Sequence, residues 1–124
     1  MRNLTEIIES SWKDRSKLAN PEVIEAVEEV IELLDKGKLR VAQQLDGSWK
    51  TNDWVKKAII LYFIIRKMET SEIGMFEFHD KIPLKHNYSD LDVRVVPHAV
   101  ARYGSYLSPG VILMPSYVNI GAYV

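Results

Sequence analysis

The side chains able to do chemistry at neutral pH are few. The chain has three histidines, His79, His86 and His98, and no cysteine, which removes thiolate nucleophiles, thiolate metal sites and disulfides together. Ser105, Ser108 and Ser116 lie near His98 in sequence and would suggest a nucleophile with its base, but no acidic residue follows at a telling spacing. The glutamates Glu22, Glu25, Glu28, Glu29 and Glu32 read as the solvated face of a helix rather than a metal site. Gly104, Gly110 and Gly121 match neither common phosphate-loop pattern. Tyr103, Tyr106, Tyr117 and Tyr123 could stack on a ligand, although packing in a core or subunit interface suits them better. Arg94, between Val93 and Val95, reads on its own as an exposed strand arginine in a surface ion pair.

Composition narrows the field further. The 124 residues suffice for one domain with a core, and 47% hydrophobic with 27% charged residues is ordinary for a folded soluble chain. Sixteen basic and 17 acidic residues nearly cancel, so no net field points to nucleic acid or an acidic membrane surface. The start, MRNLTEIIESSWKDR, has acidic residues where a signal peptide needs an apolar core, and the apolar run Ala58 to Ile65 is too short to cross a bilayer. A cytoplasmic protein without membrane or nucleic-acid partners is expected, and the lack of cysteine suits a reducing compartment.

These residues must be carried by elements the pattern announces. Leu4, Ile7, Ile8 and Trp12 share a helical face behind Asn3, with Glu6 at capping-box spacing, which predicts a helix to about Ser16. Asn20-Pro21 supplies a cap and a first-turn proline, and Val23, Ile24, Val27, Val30, Ile31 and Leu34 keep helical spacing until Gly37. Asp46-Gly47 inside alternating residues predicts a hairpin of Leu39 to Leu45 with Ser48 to Thr51. Asn52 can cap a third helix, buried on most sides, over DWVKKAIILYFIIRKM. From Glu69 to Asp92 only loop with brief strands is expected, and VRVVP, Val93 to Pro97, is strand-like.

From Val100 onward a step of six aligns Val100, Tyr106, Ile112, Val118 and Val124, all bulky, while the fifth places hold Gly104, Gly110, Ser116 and Ala122, all small. That period is the signature of a hexapeptide parallel β-helix, with the bulky residue inside a triangular coil and the small one at its corner. Serines at corners are then steric choices. Hexapeptide folds include zinc enzymes whose histidines come from the coils. Only His98 lies near the coils here, so it is read as a surface or interface residue and no metal is expected. About three hexads make one coil, and one coil does not close its own core.

Five stretches in order, LRVA with DGSW behind it (Leu39 to Trp49), WVKKAIIL (Trp54 to Leu61), DKIPLK (Asp80 to Lys85), RVVP (Arg94 to Pro97) and LMPSYVNIGAYV (Leu113 to Val124), resemble the tetrahydrodipicolinate N-succinyltransferase family. The resemblance implies an α+β chain: a helical N-terminal domain with a hairpin over 1–92, then an entry strand and the first coil of a left-handed parallel β-helix over 93–124. It implies a homotrimer with active sites between neighbouring β-helices. It implies succinyl transfer from succinyl-CoA, a co-substrate rather than a bound cofactor, to the amino group of tetrahydrodipicolinate in lysine and diaminopimelate biosynthesis. Arg94 stands at the family's substrate-binding arginine, where a guanidinium can grip a carboxylate through two parallel hydrogen bonds. Arg102 is a weaker candidate, since its place in the hexad points outward. The catalytic acid and the coenzyme-A groove of the family fall beyond Val124, so the ending reads as a cut through a β-helix and the 124 residues alone are expected to be inactive. Two other readings stay open: a non-catalytic oligomerisation or interaction module, and a hexapeptide acyltransferase for another amine.

Overall fold

The computed structural model describes residues 3–124; residues 1 and 2, where the expected first domain begins, lie outside the described residues. Helix α1 (Leu4–Lys13) starts where expected, with the Asn3 side chain accepting from the Glu6 N–H at 3.1 Å. It stops at Lys13 because Asp14 turns extended and its carboxylate accepts from Ser16, opening a 3-10 turn over Arg15–Ala19. Helix α2 (Pro21–Asp35) is capped by Asn20 with Pro21 in its first turn. Strands β1 (Ala42–Leu45) and β2 (Ser48–Thr51) pair antiparallel around Asp46 and Gly47, both at positive φ, the turn this dipeptide favours.

Helix α3 (Asp53–Ile65) departs from expectation twice. Asn52 occupies the cap position without capping: its amide instead donates to the Arg40 carbonyl at 2.8 Å, tying the helix start to the hairpin base. The helix is also not buried on most sides. Val55, Ala58, Leu61 and Tyr62 face the core, while Ile60 and Ile64 are each 46% exposed. Helices α1, α2 and α3 bury Ile8, Val27, Val30, Ile31, Leu34, Val55, Ala58, Leu61 and Tyr62 in one cluster, which Ile82 and Ile120 join from later in the chain.

Where loop with brief strands was expected, a regular antiparallel hairpin stands, β3 (Glu69–Ile73) with β4 (Phe76–Asp80), turning at Gly74 with φ +60°. Its alternation is legible afterwards: Ser71, Ile73, Phe76 and Phe78 share one face, and Thr70, Glu72, Glu77 and His79 the other. Residues 81–87 then run along the last part of the chain, with an antiparallel bridge between Leu84 and Arg102. They lead to the single-turn helix α4 (Tyr88–Leu91), bounded by the left-handed residues Asn87 and Asp92.

Residues 93–124 are built from short parallel pairings. Strand β5 (Arg94–Val95) pairs with β7 (Ile112–Leu113), β6 (Val100–Ala101) with β8 (Tyr117–Val118), and Tyr106 bridges Tyr123, all parallel. A second core forms here from Val93, Ala101, Leu107, Leu113 and Val118. The architecture is therefore mixed α+β, as expected.

The inward register differs from the sequence reading. Ile112 is 58% exposed and Leu113 is 6% exposed; Ala101 and Leu107 are buried, whereas Val100 and Tyr106 are only half-buried and Val124 is 45% exposed. Adjacent residues on a pleated segment point to opposite faces, so a register chosen one residue early exchanges inside for outside. Val118 is nonetheless buried, because Arg94 pairs with a residue 18 positions on (Ile112) but Val100 with one 17 positions on (Tyr117). The missing residue also moves a corner. Gly121, not Ala122, takes φ +91° and donates its N–H to the Gly104 carbonyl at 3.0 Å, stacking on a glycine at φ +94°.

Candidate functional site

Arg94 follows Asp92, whose left-handed backbone makes the corner after α4 and whose carbonyl accepts from Gly110 N–H at 2.7 Å. The alternation around it is set by burial: Val93 is 7% exposed and directed inward, so Arg94 on the next residue faces out. Its backbone is fixed by pairing, with Arg94 N–H donating to the Val111 carbonyl at 3.0 Å and Val96 N–H to Leu113 at 2.9 Å. Its strand partner is exposed Ile112, with exposed Met114 two residues further. Among the described residues no side chain or carbonyl engages the guanidinium, so the surface ion pair that the sequence alone suggested is not formed. A rigidly held arginine with its fork free is suited to binding a carboxylate.

The connection before the parallel region is anchored to the helices by a buried ion pair. Lys85 Nζ lies 2.8 Å from Asp35 Oδ1, with Lys85 and Asp35 only 5% and 6% exposed. The same carboxylate oxygen accepts from the Gly104 N–H at 2.9 Å, and Lys85 Nζ also donates to the Asp35 carbonyl at 3.1 Å. One aspartate at the end of α2 therefore holds both the 81–87 connection and a corner of the parallel region. Nearby, the Tyr103 hydroxyl donates to Glu32 at 2.9 Å; burial first, and then this hydrogen bond, pushes its phenol well above the ordinary value of 10.0. This network was missed in the sequence, though one signal was present. Asp35 extends the buried row Val27 and Ile31 by one more step of four, a place where a carboxylate needs a cation.

Arg102 is held rather than free. Its guanidinium contacts Asp80 at 3.0 Å and Asn119 at 3.1 Å, clasping the β3–β4 hairpin to the parallel region. The histidines are dispersed: His79 Nδ1 meets Thr70 Oγ1 at 2.8 Å, His98 lies edge-on to Phe76 with ring centroids 5.3 Å apart, and His86 is exposed. Among the described residues no three or more His, Asp or Glu side chains are grouped to hold a metal ion. Ser105, Ser108 and Ser116 each donate to a backbone carbonyl, of Arg102, Val124 and Met114 respectively. Tyr106 and Tyr123 pack together at 4.7 Å, with Arg40 over the Tyr123 ring at 3.8 Å, while Tyr117 stays exposed. No helix among the described residues is long and apolar enough to cross a membrane.

Residues 3–65 match the family model described as "Tetrahydrodipicolinate N-succinyltransferase N-terminal". The chain is 46% identical, over 99% of its length and 49% of the relative's, to a 2,3,4,5-tetrahydropyridine-2,6-dicarboxylate N-succinyltransferase of Burkholderia multivorans. It is 48% identical to the protein of that name from Albidiferax ferrireducens, across 97% of this chain and 48% of that one. The corresponding Burkholderia mallei protein is 44% identical. The chain thus spans about half the length of the curated relatives it matches. Between the family model over α1 to α3 and the similarity that runs on through the parallel region, the chain belongs to the tetrahydrodipicolinate N-succinyltransferase family.

Proposed function

We propose that these residues form the N-terminal portion of an enzyme that moves a succinyl group from succinyl-CoA to the amino group of tetrahydrodipicolinate, a step of lysine and diaminopimelate biosynthesis in the cytoplasm. The relatives' names supply the reaction class. The observation that carries the assignment of a role within it is Arg94: an outward arginine on a fixed strand, free of any partner among the described residues. In this reading Arg94 grips one carboxylate of the dicarboxylate substrate bidentately and so orients its amine.

The chemistry asks for positioning more than for reactive side chains. The free amine attacks the thioester carbonyl, a C–N bond forms, and the tetrahedral oxyanion collapses with loss of the coenzyme-A thiolate. A carboxylate first takes a proton from the substrate's ammonium, which frees the amine that attacks. We place that carboxylate and the coenzyme-A groove in the half of the relatives that lies beyond these residues, so no catalytic or cofactor-binding residue is assigned here and no bound cofactor is invoked.

Residues 93–124 are read as the first coil of a left-handed parallel β-helix, and 1–92 as a separate helical domain. Three parallel pairings at steps of 17 and 18 residues, with glycines at stacked corners, support the coil. The two hydrophobic clusters follow this division except at Ile120 and Tyr103, which pack with the helices, and at Tyr88 and Leu91, which pack with the parallel region. Exposed Ile112 and Met114 on the outer surface favour a homotrimer in which neighbouring coils meet there, and they also keep a non-catalytic assembly role as a second reading. Coenzyme-A release from succinyl-CoA tests the proposal. A protein carrying these residues with the remaining half seen in the relatives is expected to release it only when the amine is added, and the 124-residue chain not at all. Release by the short chain, or none by the longer protein, would contradict the assignment.

A further inference from the structure

The β3–β4 hairpin does not close onto the surface it covers. It leaves a cleft of about 200 Å³ between its inner face, residues 81–84, and the outer faces of Val100 and Tyr117. Phe78 and Tyr117 both line this cleft and remain 40% and 59% exposed. The gap is held open by polar ties at its rim: Asp80 to Arg102 at 3.0 Å, Arg66 Nε to the Lys81 carbonyl at 2.8 Å, and Lys81 Nζ to the Phe63 carbonyl at 2.9 Å. A preformed apolar trough with few polar groups is the usual form of a small-molecule site. Its volume is below the roughly 300–1,000 Å³ of drug-sized pockets, which suits a metabolite of amino-acid size.

The charges in the cleft specify the ligand further. Asp80 is consumed by Arg102, and Lys81 is tied to the backbone. That leaves Arg66, whose Nε bond fixes the plane of the fork and whose guanidinium lies 5.9 Å from the Tyr62 ring centroid while its two terminal nitrogens have no hydrogen-bond partner among the described residues, and Glu69, whose carboxylate has none either. The two line the same cleft without forming an ion pair. One unpaired cation and one unpaired anion beside an apolar trough complement a zwitterion with an apolar tail. We propose that this cleft binds a free α-amino acid with an apolar side chain. Its carboxylate meets the Arg66 fork, its ammonium meets Glu69, and its side chain lies against Phe78, Ile82 and Leu84. The proposal does not depend on the succinyl-transfer reading, since Arg94 takes no part in the cleft.

Titration of the labelled 124-residue chain with L-leucine and L-phenylalanine, followed by backbone amide NMR, tests this. Saturable shifts are expected at residues 66–84 and at Tyr117, with Kd on the order of 1 mM or tighter. N-acetyl-leucine, which lacks the ammonium, and leucinamide, which lacks the carboxylate, are expected to bind about tenfold more weakly or worse. Glu69→Gln and Arg66→Gln should each weaken binding by a similar factor. Ser71→Trp, at an exposed strand position facing the cleft, should block it while leaving the thermal transition in place. Non-saturating shifts, binding of either capped analogue as tight as that of L-leucine, or full binding by Glu69→Gln and Ser71→Trp would each overturn the assignment.

Discussion

Asp35 and Lys85 bring opposite charges to a place where either alone would be costly, and their 2.8 Å contact is what makes both tolerable. Asp35→Ala leaves a buried ammonium and an orphaned Gly104 N–H, and is expected to cost about 3–5 kcal/mol in urea unfolding. Asp35→Leu combined with Lys85→Met removes both charges and should recover much of that loss. A double variant no better than the single one would show that the carboxylate matters for Gly104 rather than for Lys85. Tyr103 sets a pH dependence of a definite sign. Its phenol, raised above 10.0 by burial and by Glu32, binds its proton more tightly in the folded chain than in the unfolded one. Stability from this group is therefore complete below that value and falls as pH rises past it. Tyr62 and Tyr88, also raised chiefly by burial, add to the same trend. The urea midpoint should drop between pH of about 8 and about 11, which straddle the ordinary phenol value, and Tyr103→Phe should lessen the drop.

Among the elements, those with local signals were legible and those decided by distant contacts were not. Helix α2 needed nothing beyond Asn20, Pro21 and its apolar stripe, and Asp46-Gly47 announced its hairpin. The β3–β4 hairpin went unread because all but Asp80 of its ten strand residues are exposed, so no burial pattern separated it from loop, and its tie to the fold is the Arg102–Asp80 pair 22 residues apart. The six-residue period of the tail was legible, but not which of two adjacent residues turns inward, because the pleat alone decides that. The 17-residue step that brings Gly121 over Gly104 was likewise invisible to a strict period of six. Leu107, 1% exposed in the second core, tests the observed register: Leu107→Ala should cost about 2–5 kcal/mol, whereas Ile112→Ala, at an exposed position, should cost little. Gly104→Ala combines a left-handed φ of +94° with a Cβ placed 2.7 Å from Ile120 Cγ1, and a clear fall in melting temperature is expected.

At the scale of the whole molecule, the helical cluster and the parallel region are joined by the Asp35–Lys85–Gly104 contact and by Ile120, which leaves its own strands to pack among the helices. That junction holds the corner at Gly104, while Arg94 emerges from a separate corner at Asp92. The family resemblance was readable in order along the chain because its motifs coincide with these junctions: DKIPLK contains Lys85, and LMPSYVNIGAYV contains Ile120 and Gly121. What was not readable is the open cleft under the β3–β4 hairpin, since its walls come from segments that only the fold brings together. The outer face bearing Ile112 and Met114 is expected to be an assembly surface. Ile112→Glu with Met114→Glu should shift the sedimentation of the longer protein toward monomer with little change in melting temperature, and an unchanged trimer would place the interface elsewhere.

The central claim is that Arg94 holds a carboxylate of the amine substrate. It is tested most directly by steady-state kinetics of Arg94→Lys in the protein carrying these residues with the remaining half seen in its relatives. A charge-assisted bidentate contact reduced to a point charge should lower kcat/KM for the dicarboxylate amine roughly 10- to 100-fold, with the KM for succinyl-CoA and the melting temperature unchanged. Unchanged kcat/KM for the amine, or an equal loss for both substrates, would contradict it.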